Sequence, residues 1–420
     1  MNKENDKEFV PRLRFPKFLD DGSWEETTLG DLLSYQSSTI SLNKLRFVEA
    51  GYPVYGADGI VGMIETYEQS KPYIAILKDG SGVGRITLNS NKSSVLGTLG
   101  YLKPRVKFNK AATWLFWLLQ TIKLTNYIKG SGIPHLYYSD YKLQKIHVPK
   151  QIKEQQKIAD CLSSLDELIE AEREKLAALK DHKKGLMQRL FPLVGESAPR
   201  LRFEEFLEDG AWEAKPFEEI YNFKSTFSLT RDMLNFEAGI VKNIHYGDIH
   251  TRYSALFNIH KERVPFINSN IDVSKIKKEN YCLEGDLIFA DASEDLNDIG
   301  KSIELVQLNG EKLLSGLHTI LARQNGKKLI IGFAGYLFQT ELVRNQIKYF
   351  AQGTKVLGIS NGRLSKIIIR YPSNKLEQQK VITCLFVLDD LIFAAMQMIE
   401  HLKAHKKGLI QGLFPSIEQK

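Results

Sequence analysis

Two heptad-patterned stretches, 223 residues apart and alike position by position, constrain this chain more than any other feature. In the first, Ile158, Leu162, Leu165, Ile169, Glu172, Leu176, Leu179, Lys183, Leu186 and Leu190 alternate steps of four and three. In the second, Val381, Leu385, Leu388, Ile392, Ala395, Ile399, Leu402, Lys406, Leu409 and Leu413 keep the same alternation. A mean spacing of 3.5 held for more than four heptads is the signature of a coiled-coil seam. Both stretches end on Phe-Pro (Phe191-Pro192 and Phe414-Pro415), where proline disfavours the helical conformation of the residue before it. Across Glu154–Pro192 and Glu377–Pro415, 22 of 39 positions are identical.

A second, shorter piece is also repeated. Pro11–Glu25 (PRLRFPKFLDDGSWE) returns at Pro199–Glu213 (PRLRFEEFLEDGAWE) with 11 of 15 positions identical. Between the repeated pieces lie two largely dissimilar inserts, roughly residues 25–130 and 214–353. A constant frame therefore carries two unlike inserts. The offset between copies is 188 at the start and 223 from Gly130 onward, so the second insert is longer by 35 residues.

Both helices belong to one chain, so a homodimeric coil competes with an internal pair. A parallel internal pair needs a return connection as long as the helix. An antiparallel pair needs only that each insert fold near the start of its own helix, which is the simpler path. Lys183 and Lys406, placed on the seam, would fix register at some cost in stability. If the helices run antiparallel, Cys161 and Cys384 lie at opposite ends and cannot bond.

Each insert reads as a small mixed α+β domain. In the first, Tyr73–Leu77 and Gly84–Leu88 are expected strands, Ala111–Ile128 a helix, and Leu143–Val148 a closing strand. In the second, Asp286–Ala290, Ser302–Leu308 and His318–Ala322 are expected strands, Gly332–Phe350 a helix, and Lys366–Tyr371 the closing strand. The boundaries are then a tail at 1–10, a first domain at 11–150, a helix at 151–192 and a hinge at 193–198 with Gly195 as its flexible point. A second domain at 199–373, a helix at 374–415 and a tail at 416–420 complete the chain.

The residues exclude several chemistries. With 43% hydrophobic residues, 420 positions suffice for two or three domains with cores. No stretch reaches the ~20 apolar residues of a membrane span, and MNKENDKEF lacks an apolar signal region. Three cysteines without a CxxC give neither a disulfide framework nor a cysteine zinc site. A cytoplasmic location is the expectation. Gly300-Lys301-Ser302 fails as a P-loop, because Asp295 stands where the earlier glycine is required. Gly80–Gly84 leads from strand into strand, so it is no dinucleotide loop. His401 and His405 are spaced i, i+4 without HExxH, which suits a solvated face better than a metal site. No catalytic constellation and no metal site emerge.

Recognition chemistry remains, on a chain of net charge +7. In the first insert, Tyr55, Lys78, Ser81, Arg85, Ser131, His135 and Tyr137 lie in or beside Gly-rich loops. Such loops let backbone amides approach a phosphate closely. In the second, Asn243, His245, Tyr246, His250, Arg252, Thr354 and Lys355 occupy comparable stretches. Their amides, cations and aromatic faces suit nucleic acid, although any one such loop is also an ordinary turn.

The short repeat PRLRFPKF…W, the EQQKIA…LD opening of each helix and the KKGLMQRLFP ending resemble the specificity (S) subunits of type I restriction–modification systems. Tyr55–Gly62 (YGADGIVG) and Gly285–Ala290 (GDLIFA) are similar to phrases in that family's target recognition domains. The resemblance covers essentially the whole chain. It implies an α+β fold: two mixed α/β target recognition domains in pseudo-two-fold arrangement, separated by long antiparallel coiled-coil spacer helices. It also implies a non-catalytic chain bound to double-stranded DNA, with two modification subunits that use S-adenosylmethionine and restriction subunits that use ATP and Mg. No cofactor is expected on this chain, and no membrane partner. A spacer of about 35 residues spans roughly 52 Å at ~1.5 Å per residue. Heads near its ends would address sites on the order of ten or more base pairs apart. The competing reading is a coiled-coil scaffold or DNA-binding regulator with two ligand-binding heads.

Overall fold

The computed structural model describes residues 9–105 and 112–415. Residues 1–8 and 416–420, read as tails, and Ala111, read as a helix start, lie outside them. Two compact units form: one from residues up to 175 together with those from 395 on, the other from residues 176–394. The long helices run Ile152–Leu190 and Lys375–Leu413, 39 residues each, and each contributes to both units.

In the first unit, the start of the first helix meets the end of the second. Ile158, Ala159 and Leu162 share a core with Leu413 and Phe414. In the second unit, Leu190 and Phe191 pack with Val381, Ile382 and Leu385. The helix pair is therefore antiparallel and internal to the chain. Every seam position read from the heptads is buried or half-buried. The seam lysines are half-buried and cross-paired. Lys183 Nζ lies 2.5 Å from Asp389 Oδ1, and Lys406 pairs with Asp166, the repeat-equivalent acid. Lys406 also sits 4.2 Å from the centroid of the Trp117 ring, and Lys183 5.1 Å from that of Tyr336.

The first unit holds a four-stranded antiparallel sheet in the order Leu33–Ser37, Leu99–Pro104, Tyr73–Leu77, Ile86–Asn89. The second holds a five-stranded mixed sheet in the order Tyr221–Lys224, Thr319–Gln324, Leu287–Ala290, Ser302–Gln307, Leu256–Asn258. In each unit a closing strand pairs with the strand after the short repeat: Glu25–Thr28 with Lys145–Val148, and Glu213–Pro216 with Ile368–Tyr371. Most of the extra length in the second unit precedes its central strand. Leu33 and Tyr221 are 188 apart, whereas Lys78 and Asp291 are already 213 apart.

Both insert helices are shorter than expected. The first runs Ala112–Gln120, and the second divides into Phe333–Leu337 and Glu341–Phe350. Each break falls at a threonine whose hydroxyl donates to the carbonyl three residues back: Thr121 to Leu118 and Thr340 to Leu337. That bond competes with the next helical turn.

The second long helix is apolar enough, by length and composition, to cross a membrane. No unbroken apolar run marks it in the sequence, because Asp389 and Asp390 interrupt the stretch. Both acids are ion-paired, to Lys183 and Lys261 respectively.

The short repeats are explained by one buried contact made twice. Arg14 donates to both carboxylate oxygens of Glu154 at 2.8 and 2.9 Å and to the Gly22 carbonyl at 2.6 Å. Trp24 Nε1 donates to the same carboxylate at 3.4 Å. Arg202 does the same to Glu377 at 2.8 and 2.8 Å and to the Gly210 carbonyl at 2.6 Å, with Trp212 Nε1 at 3.1 Å. Glu154 and Glu377 are each 1% exposed. The backbone of the short repeat also bonds the end of a long helix: Leu13 N to Gly412 O, and Leu201 N to Arg189 O, both 2.8 Å. In the first unit the piece near the N-terminus thus meets the end of the second helix. In the second unit the equivalent piece follows directly on the helix it meets.

Burial of these carboxylates makes them costly to remove. Glu154→Ala or Glu377→Ala strands a buried guanidinium and an indole N–H, costing about 3–5 kcal/mol each. Chemical denaturation should show losses of similar size for the two. Glu304, buried on the strand Ser302–Gln307, accepts from Gly332 N at 2.9 Å and Gly335 N at 2.6 Å. Burial nevertheless raises its carboxyl to about 7. The folded state then holds a proton that the unfolded chain releases near pH 4.3. Stability of the second unit should fall as pH rises from about 4.5 to about 7 and level off above. Glu304→Gln should abolish that slope in denaturation midpoints measured across the range.

Candidate nucleic-acid interface

Although their sequences differ, the two units hold three loops in the same hydrogen-bonded framework. In the first unit, Lys78 N donates to Thr98 O at 3.0 Å, and Leu136 N donates to Lys78 O at 2.8 Å. In the second, Asp291 N donates to His318 O at 3.0 Å, and Ile359 N donates to Asp291 O at 2.9 Å. The loop after the central strand is therefore clamped between a strand-connecting turn and a glycine hairpin in both. The hairpins are closed by Gly130 (φ 96°) and Gly353 (φ 126°), conformations that favour glycine. A Cβ on Gly130 would stand 2.6 Å from the Ile133 carbonyl oxygen, and one on Gly353 would overlap that of Val356.

In the first unit this framework gathers Lys78, Ser131 and His135. His135 Nδ1 is 2.7 Å from Asp79 Oδ1, and Lys78 Nζ is 3.4 Å from Asp79 Oδ2. Tyr137 is exposed, its ring stacked 6.1 Å from that of His135. Ser81 is exposed in the turn between Tyr73–Leu77 and Ile86–Asn89, whose Gly80, Gly82 and Gly84 all take positive φ. Those glycines close a hairpin, the ordinary role of such a run. Arg85 pairs with Asp58 at 3.4 Å, and Tyr55, paired with Val95 across parallel strands, packs half-buried against the small core that contains it.

In the second unit, Tyr246, His250, Thr354 and Lys355 reach the surface around the same framework. Tyr246 rests on His250 at 5.9 Å and His318 at 5.3 Å between ring centroids. His250 Nε2 lies 3.0 Å from Ala292 O, and Lys301 Nζ donates to His250 O at 2.6 Å. A shallow cleft of about 460 Å³ is lined by Asp291, His318, Gln352, Val356 and Arg363 among others. Arg252 is exposed, 3.5 Å from buried Asp248, which also binds Arg231 at 2.6 Å.

Two expected contact residues are corrected. Asn243 is 0% exposed, its Nδ2 donating to Phe227 O at 3.1 Å, so its amide serves the interior. His245 is also buried. Its Nδ1 accepts from Gly247 N at 3.2 Å, capping the short helix Tyr246–Thr251. Burial, then the neighbouring Arg231, lowers the pKa of this imidazole. Composition alone does not single out His318, Asp291 or Arg363. In the structure His318 takes φ 52°, uncommon for a non-glycine residue, in the Gly-Leu-His turn before a strand.

Among the described residues no cluster of three or more His, Cys, Asp or Glu side chains is arranged to hold a metal. His401 and His405 are both exposed. The three cysteines are free thiols, with Cys282 buried and its pKa raised by that burial.

Two α+β units of unlike sequence thus carry matching loop frameworks, each on a shared pair of antiparallel helices. The family model for the type I restriction modification DNA specificity domain matches residues 22–181. The type I restriction enzyme MjaVIII specificity subunit of Methanocaldococcus jannaschii is 29% identical over 238 residues. That match spans about half of each chain, 53% of this one and 53% of the relative. A provisionally named type I restriction enzyme MjaX specificity subunit of the same organism is 23% identical over 93% of this chain and 92% of its own length. The crystal structure of a type I restriction-modification S subunit from M. genitalium covers 97% of this chain and 100% of its own, with a TM-score of 0.63 at 15% identity. Residues 22–181 thus match the type I DNA specificity domain, and the fold of the chain is similar to that of a solved type I S subunit, as the resemblance implied.

Gly130→Ala and Gly353→Ala should each strain one hairpin by about 1–3 kcal/mol. Hydrogen exchange should show weakened protection at residues 128–136 in one variant and 351–359 in the other, with the long helices unchanged.

Proposed function

We propose that this chain is the non-catalytic DNA-specificity subunit of a type I restriction–modification complex, reading a bipartite, asymmetric target. The observation that carries the reading is the shared three-loop framework on two heads of unlike sequence. Equal scaffolds present unequal side chains, so the two half-sites differ while their presentation is alike. Exposed Lys355, Ser131 and Thr354, with half-buried Lys78, Tyr246 and His250, are suited to phosphates and base edges.

The frame supports docking of two modification subunits. In the first unit, Arg12, Lys123, Arg173, Lys403, Lys406 and Lys407 help line a groove of about 1570 Å³. In the second, Lys180, Lys183 and Lys184, the repeat equivalents of the last three, line one of about 320 Å³. A set of three lysines made twice suits a partner present twice, although the grooves they line differ in volume. S-adenosylmethionine would reside on those modification subunits, and ATP and Mg on restriction subunits that join for cleavage. The domain boundaries 11–150 and 199–373, with helices at 151–192 and 374–415, are the proposed division into readers and spacers.

Co-expression with the cognate modification subunit, followed by mapping of methylated adenines, tests the reading. One split motif, methylated only when both chains are present, is the expected result. Methylation by the purified chain alone would overturn it. Adding one heptad to each spacer helix lengthens it by ~10 Å, and the gap between half-sites should grow by about three base pairs. An unchanged gap would exclude the helices as the ruler.

A further inference from the structure

We propose that Ile133 and Val356 are specificity-determining residues, each reading the 5-methyl group of a thymine in its own half-site. The inference rests on the DNA-reading function above and names residues that composition does not single out. Ile133 is 65% exposed and Val356 52% exposed, and both are β-branched aliphatic side chains. They stand at equivalent positions, 223 residues apart, in Gly130-Ser131-Gly132-Ile133 and Gly353-Thr354-Lys355-Val356. The surrounding residues are unlike, yet both tips keep glycine, then a hydroxyl residue, then the aliphatic two positions later.

Construction of the tips favours binding to a partner rather than internal packing. The positive-φ glycine lets the carbonyl of Ile133 or Val356 fold back over it, where any Cβ would collide. The hairpins are tied down by paired strands Ile128–Lys129 and His135–Leu136, and by the reciprocal bonds of Gln352 and Gly358 at 3.0 and 2.7 Å. Each aliphatic group is therefore held outward with little conformational entropy left to lose on binding. Cations lie in both frameworks: the Lys78 backbone is bonded to Leu136 in the first hairpin, Lys355 precedes Val356 in sequence, and Arg363 lines the same cleft as Val356. Phosphate-seeking charge beside a fixed apolar knob matches a DNA groove better than an apolar protein surface. Among base edges, the thymine methyl is the apolar partner available in the major groove.

The test uses the full complex with the modification subunit, cognate duplex DNA, and duplexes in which single thymines are replaced by uracil. Ile133→Ala should weaken cognate binding about tenfold, because the shortened side chain no longer shields the methyl from water. Uracil at one position of one half-site should reproduce most of that weakening. Combined with the variant, that uracil should add little. Val356→Ala should behave alike in the other half-site, while Ile133→Val and Val356→Ile retain most affinity. Binding to unrelated DNA and its salt dependence should stay unchanged. Wild-type affinity in both alanine variants, with the complex still binding its target selectively, would sink this proposal and leave the functional reading intact. A weakening that no uracil reproduces, accompanied by reduced DNA bending, would replace methyl reading with a base-step wedge. Failure of the unmodified complex to prefer any sequence would instead overturn the functional reading.

Discussion

A buried carboxylate at the start of each long helix ties the rest of the molecule together. Glu154 and Glu377 each accept both arms of an arginine fork and an indole N–H, and the same arginine reaches a carbonyl of its own turn. Buried ion pairs are costly to assemble, but once formed they are intolerant of losing a partner. Bidentate geometry also fixes direction, since a fork and a carboxylate meet well in few orientations. The pair therefore sets where each helix leaves its insert. It accounts for the repetition of Arg-Leu-Arg-Phe, of the Gly-x-Trp turn and of Glu-Gln-Gln-Lys in both halves.

Because the latch and the seam set the frame, the inserts are free to differ in sequence as long as the chain returns to the same closing strand. The heads keep in common two backbone bridges between their three loops. Hydrogen bonds between main-chain groups make few demands on side chains, which is why Lys78 can be replaced by Asp291, and Thr98 by His318, without altering the clamp. Recognition surfaces diversify most readily where geometry is held by backbone and chemistry by exposed side chains.

Parts of this were legible in the heptads. The seam residues, the antiparallel internal pair and the stop at Phe-Pro are local patterns, and the structure places each seam position inside or partly inside. The pairing of seam lysines was only half visible. Lys183 and Lys406 stand out on an apolar stripe, but their partners Asp389 and Asp166 lie outside the heptad positions and become neighbours only when the helices face each other. Apolar composition continues past Thr121 and across Thr340, so it does not mark where the insert helices end. There, hydroxyl-to-carbonyl bonds stop the turn.

The sequence by itself determined the duplication, the helical period and the presence of two unlike inserts, because repeats and periods are properties of neighbouring residues. Tertiary structure decided what lies far apart along the chain. Arg14 finds Glu154 across 140 positions, and Arg202 finds Glu377 across 175. It also separated interior from surface among similar polar residues, sending Asn243 inward to Phe227 and leaving Thr354 and Lys355 outside. Side-chain type is written in the chain; the direction a side chain faces depends on what the fold brings beside it.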